Sequence, residues 1–309
     1  LATLEKQGDR FHVTDRRAGR VTTDSHELAG VLQEIDLGDG ISATFVPTDQ
    51  HRGALVFSGP GLAADLSDTD PGDRGAPGWL IPCCPLQVQS TLAAAKVNRF
   101  IELAYSRLVD HPINRQRVAA GKLPATGVIT RGAGAYFRVD NMLEERSATA
   151  AMVAGCNTVS GLAKTFGLDT IGAASFTAGT DTDVEGKLSA ARQALDRFSM
   201  VFVHIKATDL FSHDFQPAAK KAFIERVDRA LVEWVDSDAI IALAADHTTD
   251  SNSGAHTEHP VPALIFDPQT PRGGEVINFG EYACRDGNMP RQTGHEFLLR
   301  VLARLQASS

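Results

Sequence analysis

The segment VFVHIKATDLFSHD, Val201–Asp214, passes from an apolar run into a carboxylate and an imidazole, Asp209 and His213, four residues apart. Strands covered on both faces of a parallel sheet read as continuous apolar runs. In such sheets the working residues lie in loops beyond the strands' C-terminal ends. On this reading VFVHI is a buried strand, and Asp209 and His213 lie just past its end. A second run, AIIALAA (Ala239–Ala245), ends the same way in Asp246 and His247, and His256 follows nine residues later in SGAHTEHPVP. Two neighbouring strands then carry two Asp and three His to one rim of one sheet.

Carboxylate oxygens and imidazole nitrogens suit Zn²⁺, Mn²⁺ and related divalent ions. Two acids and three imidazoles exceed what one catalytic ion with an open position needs. They are the right number for most of a two-metal site, in which paired ions clamp the attacking and leaving oxygens. Taken singly, each residue has a plainer reading: Asp209 as a helix cap, His213 as a loop histidine, Asp246-His247 as a strand-end turn. The joint pattern D-x₃-H … D-H-x₈-H favours metal. His259 stays open between a spare ligand and a loop residue.

Outward from this pair of strands the same rhythm continues. TAAMVAG (149–155) and PALIF (262–266) read as further strands. Helices are expected near Glu185–Arg197 and Pro217–Val235, the second with Pro217 in its first turn and a stripe of Phe223, Val227, Leu231 and Trp234. Alternating short apolar strands and helices imply a mostly parallel sheet with helices on both faces. The front of the chain differs. FHVTD, ISATFVP and GALVFSG are short β-like pieces between Phe11 and Gly59. SDTDPGDRGAPGWLIPCCP (67–85) reads as a long loop, and a helix spans about Thr91–Val109 with Val97, Phe100, Ile101, Ala104 and Leu108 on one face. DHPINRQRVAAGKLPAT (110–126) reads as loop and GVITRGAG (127–134) as a short strand. The expected division is therefore a smaller domain over 1–125 and the metal-binding domain over 126–309.

The anion-binding side is carried by arginine. DRRAGR places Arg16, Arg17 and Arg20 in one loop, and TRGAG puts Arg131 before a small-residue turn. Guanidinium groups suit bidentate recognition of phosphate or carboxylate; a solvated surface cluster is the other reading for the first three. The whole-chain charge of −8 argues against a nucleic-acid partner. No apolar run approaches the roughly 20 residues of a membrane span, and no secretory signal is expected. The four cysteines make no metal motif and read as reduced, cytoplasmic thiols. A homo-oligomer is compatible with the sequence. The chain begins LATLEKQGD, without Met, and reads as entering a domain part-way.

The motifs DRRAGR, SDTDPG, TRGAG, VFVHIKATDLFSHD, AADHTTD and HTEHPVP occur in the order found in the archaeal-type cofactor-independent (2,3-bisphosphoglycerate-independent) phosphoglycerate mutases, which the chain resembles over essentially its whole length. These belong to the alkaline phosphatase superfamily. The resemblance implies an α/β alkaline-phosphatase-like core with a smaller α/β domain inserted into it, two divalent metal ions (Mn or Zn) and a transiently phosphorylated Ser. It implies that Asp209, His213 and His256 hold one ion, and Asp246 and His247 the other. In the family the second ion also takes an Asp from an N-terminal strand, and the nucleophilic Ser follows it; both are expected upstream of residue 1.

Three departures lie on the substrate side. Gly72 stands where His is usual, Ala135 where Arg is usual, and Glu145 or a neighbour where Lys is usual. Metal ligands kept while cations are lost point to a changed substrate. The expected function is metal-dependent phosphoryl transfer, interconverting 3- and 2-phosphoglycerate or acting on a related phospho- or phosphonocarboxylic acid, with Arg131, Arg16 and Arg20 on the anion. The alternative is a non-catalytic metal-binding fragment or one piece of a split enzyme.

Overall fold

The computed structural model describes residues 1–48, 50–72, 78–137, 139–140, 143, 148–270 and 278–307. The chain divides into two compact units, Leu1–Phe137 and Arg138–Ser309.

In the first unit β1 (Thr3–Gln7) and β2 (Arg10–Asp15) form an antiparallel hairpin. After α1 (Ser25–Gly30), strands β3 (Ile35–Asp36), β4 (Ser42–Pro47) and β5 (Gly53–Ser58) form a second antiparallel sheet, and β6 (Gly78–Trp79) joins β2. Helix α2 (Thr91–Leu108) buries the expected stripe, Val97, Phe100, Ile101, Ala104 and Leu108. That stripe packs in one cluster with Leu4, Val13, Leu28, Leu32, Ile41 and Phe45. All strand pairing among the described residues here is antiparallel, so helices and strands are mixed without the parallel crossovers of an α/β unit.

The segment read as loop after α2 contains a helix, α3 (Pro112–Ala119). The His111 side chain caps it and Pro112 opens it, where the missing N–H costs nothing. Tertiary contacts then hold it. Asn114 donates to the carbonyls of Leu108 and Ala125, and buried Arg117 pairs with Asp24 at 2.6 Å and donates to Ala18 and Leu123 carbonyls. The piece read as a strand at 127–134 forms only an isolated bridge, Gly127 to Ala2. The unit runs past the expected boundary at 125/126 because that boundary cuts a hydrogen-bonded seam. Thr126 Oγ1 accepts from Leu4 N and donates to Leu4 O, each at 2.7 Å, and Thr130 N donates to Thr69 Oγ1.

In the second unit β7 (Ala150–Val153) is followed by α4 (Asn157–Thr165), β8 (Asp169–Ile171), α5 (Val184–Ala194) and β9 (Met200–Val203). The three strands form a parallel sheet in the order β8-β7-β9, with α4 and α5 packed against it. Then come α6 (Ala207–His213) and α7 (Pro217–Leu231), whose Phe223, Val227 and Leu231 pack with Trp234 as the spacing requires. Strands β10 (Ile241–Ala244), β11 (Thr248–Thr249), β12 (His256–Thr257) and β13 (Ala263–Phe266) follow, then α8 (Glu281–Arg285) and α9 (Gly294–Ala307).

One expectation changes here. Strand β10 is not a neighbour of β9 in the parallel sheet: its described partner is β13, antiparallel, while β9 pairs with β7. Continuous apolar runs specify that a strand is covered, not which strand lies beside it. Buried Lys187, on α5, donates to the carbonyls of Thr177 and His204 at 3.1 and 3.2 Å, and so ties α5 to the chain just beyond β9.

Candidate functional site

The strand that opens the decisive segment stops at Val203, and the polar residues beyond it wind into α6 rather than a loop. Residues four apart on a helix share a face. Asp209 Oδ1 and His213 Nε2 accordingly lie 3.3 Å apart. His256, at the start of β12, brings its Nε2 to 3.2 Å from His213 Nε2 and 3.5 Å from Asp209 Oδ1. One ligand atom from each of the three lies within 4.8 Å of the others, the described group of three or more candidate ligands. His247 stacks on His256 with ring centroids 4.0 Å apart, and its Nε2 is 3.5 Å from Asp246 Oδ2. Asp246 is largely exposed, and His259 is an exposed loop residue bonded to Thr257, apart from the trio.

The donor set fits a divalent cation. His213 Nδ1 lies 2.7 Å from the Gly254 carbonyl, which only accepts, so Nδ1 carries a proton and the neutral form of the ring presents its Nε2 lone pair to Asp209 and His256. An anionic oxygen and imidazole nitrogens aimed at one small space are joined either by a proton, as an ion pair, or by a metal cation. Burial disfavours the charged form of Asp209, but the Thr249 hydroxyl and the Lys206 ammonium outweigh it and hold the carboxyl below its usual range. Asp209 is thus an ionised acceptor. The sequence reading missed Thr249, Ser212 and Lys220, which bond around this group. Only their closeness to the motif in sequence marked the first two.

The first unit holds a cavity of about 990 Å³ with Arg16, Arg17, Arg52 and Arg131 on its wall. Arg16 is held by Asp70 through a two-pronged pair, Nε to Oδ1 at 2.7 Å and Nη2 to Oδ2 at 2.6 Å. That bond to Arg16 is the main reason the Asp70 carboxyl lies below its usual range. His51, also on the wall, is pushed down to about 4 by burial and then by the surrounding charges, Arg52 and Arg17 among them. Arg20 is exposed and outside the cavity lining, in a tight turn where it adopts φ 55°. Gly72 has φ +85°, a conformation that disfavours the His usual in that motif. Ala135 lines the cavity and brings no charge to its wall. Glu145 lies outside the described residues.

The model of the metalloenzyme superfamily matches residues 28–295. The 2,3-bisphosphoglycerate-independent phosphoglycerate mutase of Ignicoccus hospitalis is 36% identical over 93% of this chain and 70% of its own length. The chain belongs to this mutase family within the metalloenzyme superfamily. A mutase of the same description from Archaeoglobus fulgidus is 35% identical over 96% of this chain and 73% of its own. Among solved structures, the cofactor-independent phosphoglycerate mutase of Thermoplasma acidophilum superposes with a TM-score of 0.67 and 25% identity, covering 99% of this chain and 75% of its own. A Pyrococcus horikoshii protein reaches 0.79, also at 25% identity, covering 100% and 72%. The fold is thus the alkaline-phosphatase-like α/β fold of this family, as the motifs implied.

Proposed function

We propose that the chain is a metal-dependent isomerase that interconverts 3- and 2-phosphoglycerate, or moves the phosphoryl group of a closely related phospho- or phosphonocarboxylic acid. The observation that carries this is the meeting of Asp209, His213 and His256 in a member of a mutase family. The comparisons give no support to the non-catalytic alternative: the relatives named above as mutases align over nearly the whole chain.

Asp209, His213 and His256 hold one divalent ion, and Asp246 with His247 contributes to a second; nitrogen and oxygen donors of this kind suit Zn²⁺ or Mn²⁺. Such ions, when bound, polarise phosphoryl oxygens and lower the pKa of a hydroxyl. The protein side chains orient and neutralise the substrate. Arg16, fixed by Asp70, and Arg131 bind its carboxylate or phosphoryl oxygens, an arrangement supported by their place on one cation-rich cavity wall. Arg20, exposed and off that wall, takes no part in binding the substrate. The domain of residues 1–137 serves as the substrate-side unit. The chain works in the cytoplasm, in keeping with its four free cysteines; among the described residues no helix is long and apolar enough to cross a membrane.

The test is ³¹P NMR of 3-phosphoglycerate incubated with the complete gene product, after chelation and then with Mn²⁺ or Zn²⁺. Ion-dependent appearance of the 2-isomer is expected, and it is abolished by His256→Ala. Turnover insensitive to chelation and to His256→Ala contradicts the proposal.

A further inference from the structure

Around the ligand cluster lies a set of polar side chains that touches the candidate ligands and has no assigned role. We propose that Thr249 and Lys220 are positioning residues of this centre, fixing the direction of the Asp209 carboxylate and the proton positions on the imidazoles; the inference rests on the metal reading above.

Thr249 is 4% exposed, and its Oγ1 stands 2.8 Å from Asp209 Oδ1 and 3.2 Å from His247 Nδ1. A hydroxyl has one proton to give. An ionised carboxylate only accepts, so the Thr249 proton goes to Asp209. The remaining lone pairs on Oγ1 then accept from His247 Nδ1–H. Neutral His247 is thereby held with its proton on Nδ1 and a lone pair on Nε2, the atom that stands by Asp246. The Gly254 carbonyl imposes the same tautomer on His213. Two imidazoles are presented as ligands by groups that bond to their far nitrogens, the arrangement that outer partners give to metal-bound histidines.

Lys220 secures the frame that holds these groups. Reaching from α7, its Nζ donates to Ser212 Oγ at 2.7 Å and to the Thr249 carbonyl at 3.1 Å. Ser212 is fully buried on α6, next to His213, and bonds back to the Thr208 carbonyl and across to Ser251. One ammonium therefore ties the helix bearing Asp209 and His213 to the strand whose threonine orients Asp209. Without it, α6 and β11 lose their shared donor, and the Thr249 hydroxyl loses its fixed distance from the carboxylate. Simple stabilisation by buried hydrogen bonds makes a different claim. It requires ion affinity to fall only as far as folding stability falls.

The experiment compares the native full chain with Thr249→Val, Thr249→Ser, Lys220→Met and Lys220→Arg. Zn²⁺ affinity is read by competition with a chromophoric chelator. The visible absorption of the Co²⁺-loaded chain reports ligand geometry, and urea unfolding of the metal-free chain reports stability. Expected are about 10–100-fold weaker Zn²⁺ binding and an altered Co²⁺ spectrum in Thr249→Val and Lys220→Met, beyond any change in metal-free stability. Thr249→Ser, which keeps the hydroxyl, restores affinity and spectrum, and Lys220→Arg restores them in part. Native affinity and spectrum in both Thr249→Val and Lys220→Met overturn the inference while leaving the metal reading intact. So does an affinity loss that tracks stability alone and is shared by Thr249→Ser. A native chain that binds no divalent ion overturns the metal reading and this inference together.

Discussion

In Leu1–Phe137 one cluster of buried apolar side chains joins α1, α2 and strands of both sheets, from Leu4 and Val13 to Phe100 and Leu108. Among the described residues of Arg138–Ser309 the buried apolar side chains fall into three smaller clusters, and every residue of β9 is only half-buried. The candidate ligands follow the second pattern. Asp209 accepts from the Thr249 hydroxyl, and His213 Nδ1 bonds the Gly254 carbonyl, while Lys220 bridges Ser212 and Thr249 behind them. The first unit rests mainly on apolar burial, with ion pairs such as Arg16–Asp70 and Arg117–Asp24 added to it. Apolar burial is strong but non-directional. A carboxylate and three imidazoles need direction, which hydrogen bonds supply and side-chain packing alone does not.

The largest expected effect tests the apolar side of this contrast. Phe100 is fully buried at the centre of the first unit, so Phe100→Ala destabilises it by about 3–5 kcal/mol. Phe223→Ala, in a small cluster of the second unit, costs less. Urea unfolding followed by hydrogen exchange in each unit measures both, and equal losses break the comparison.

Lys187→Met tests the polar side. Methionine fills similar space but leaves the Thr177 and His204 carbonyls without their donor, at a cost of about 1–3 kcal/mol. The loss is expected in the second unit, where exchange accelerates beside α5 and β9 and not in α2.

A smaller effect depends on pH. Folded His51 titrates at about 4 against an ordinary 6.5. Below pH 6.5 the unfolded chain therefore takes a proton that the folded chain refuses, and stability falls with acid until about pH 4. His51→Gln flattens this dependence in the first unit, as urea midpoints between pH 7 and pH 4 measure. An unchanged slope contradicts the burial argument. The smallest effect is at the surface: breaking the exposed Lys221–Glu225 pair with Lys221→Ala leaves the melting temperature unmoved.

Much of the candidate site was legible in the sequence because its chemistry is concentrated in two short segments. The spacing of Asp209 and His213 and the run from Asp246 to His256 named the candidate ligands, three of which, Asp209, His213 and His256, meet in the fold, and the stripes of α2 and α7 named two helices. Other features were illegible for specific reasons. The α3 helix depends on Arg117 reaching Asp24, a contact between residues far apart in sequence. The antiparallel pairing of β10 with β13 has no mark in an apolar run. Arg20 shares a motif with Arg16, yet it is exposed and lies off the cavity wall that Arg16 lines. Lys220 looks like any lysine of an amphipathic helix until its ammonium is seen between Ser212 and Thr249.

The central claim is that Asp209, His213 and His256 hold a divalent ion, and metal stoichiometry tests it most directly. The native full chain is stripped by chelation, reloaded with Zn²⁺ or Mn²⁺, desalted and analysed by mass spectrometry of its metal content beside Asp209→Ala and His256→Ala. The account predicts tightly retained metal in the native chain and loss of at least one equivalent in each variant that stays folded. Native metal content in both variants contradicts it.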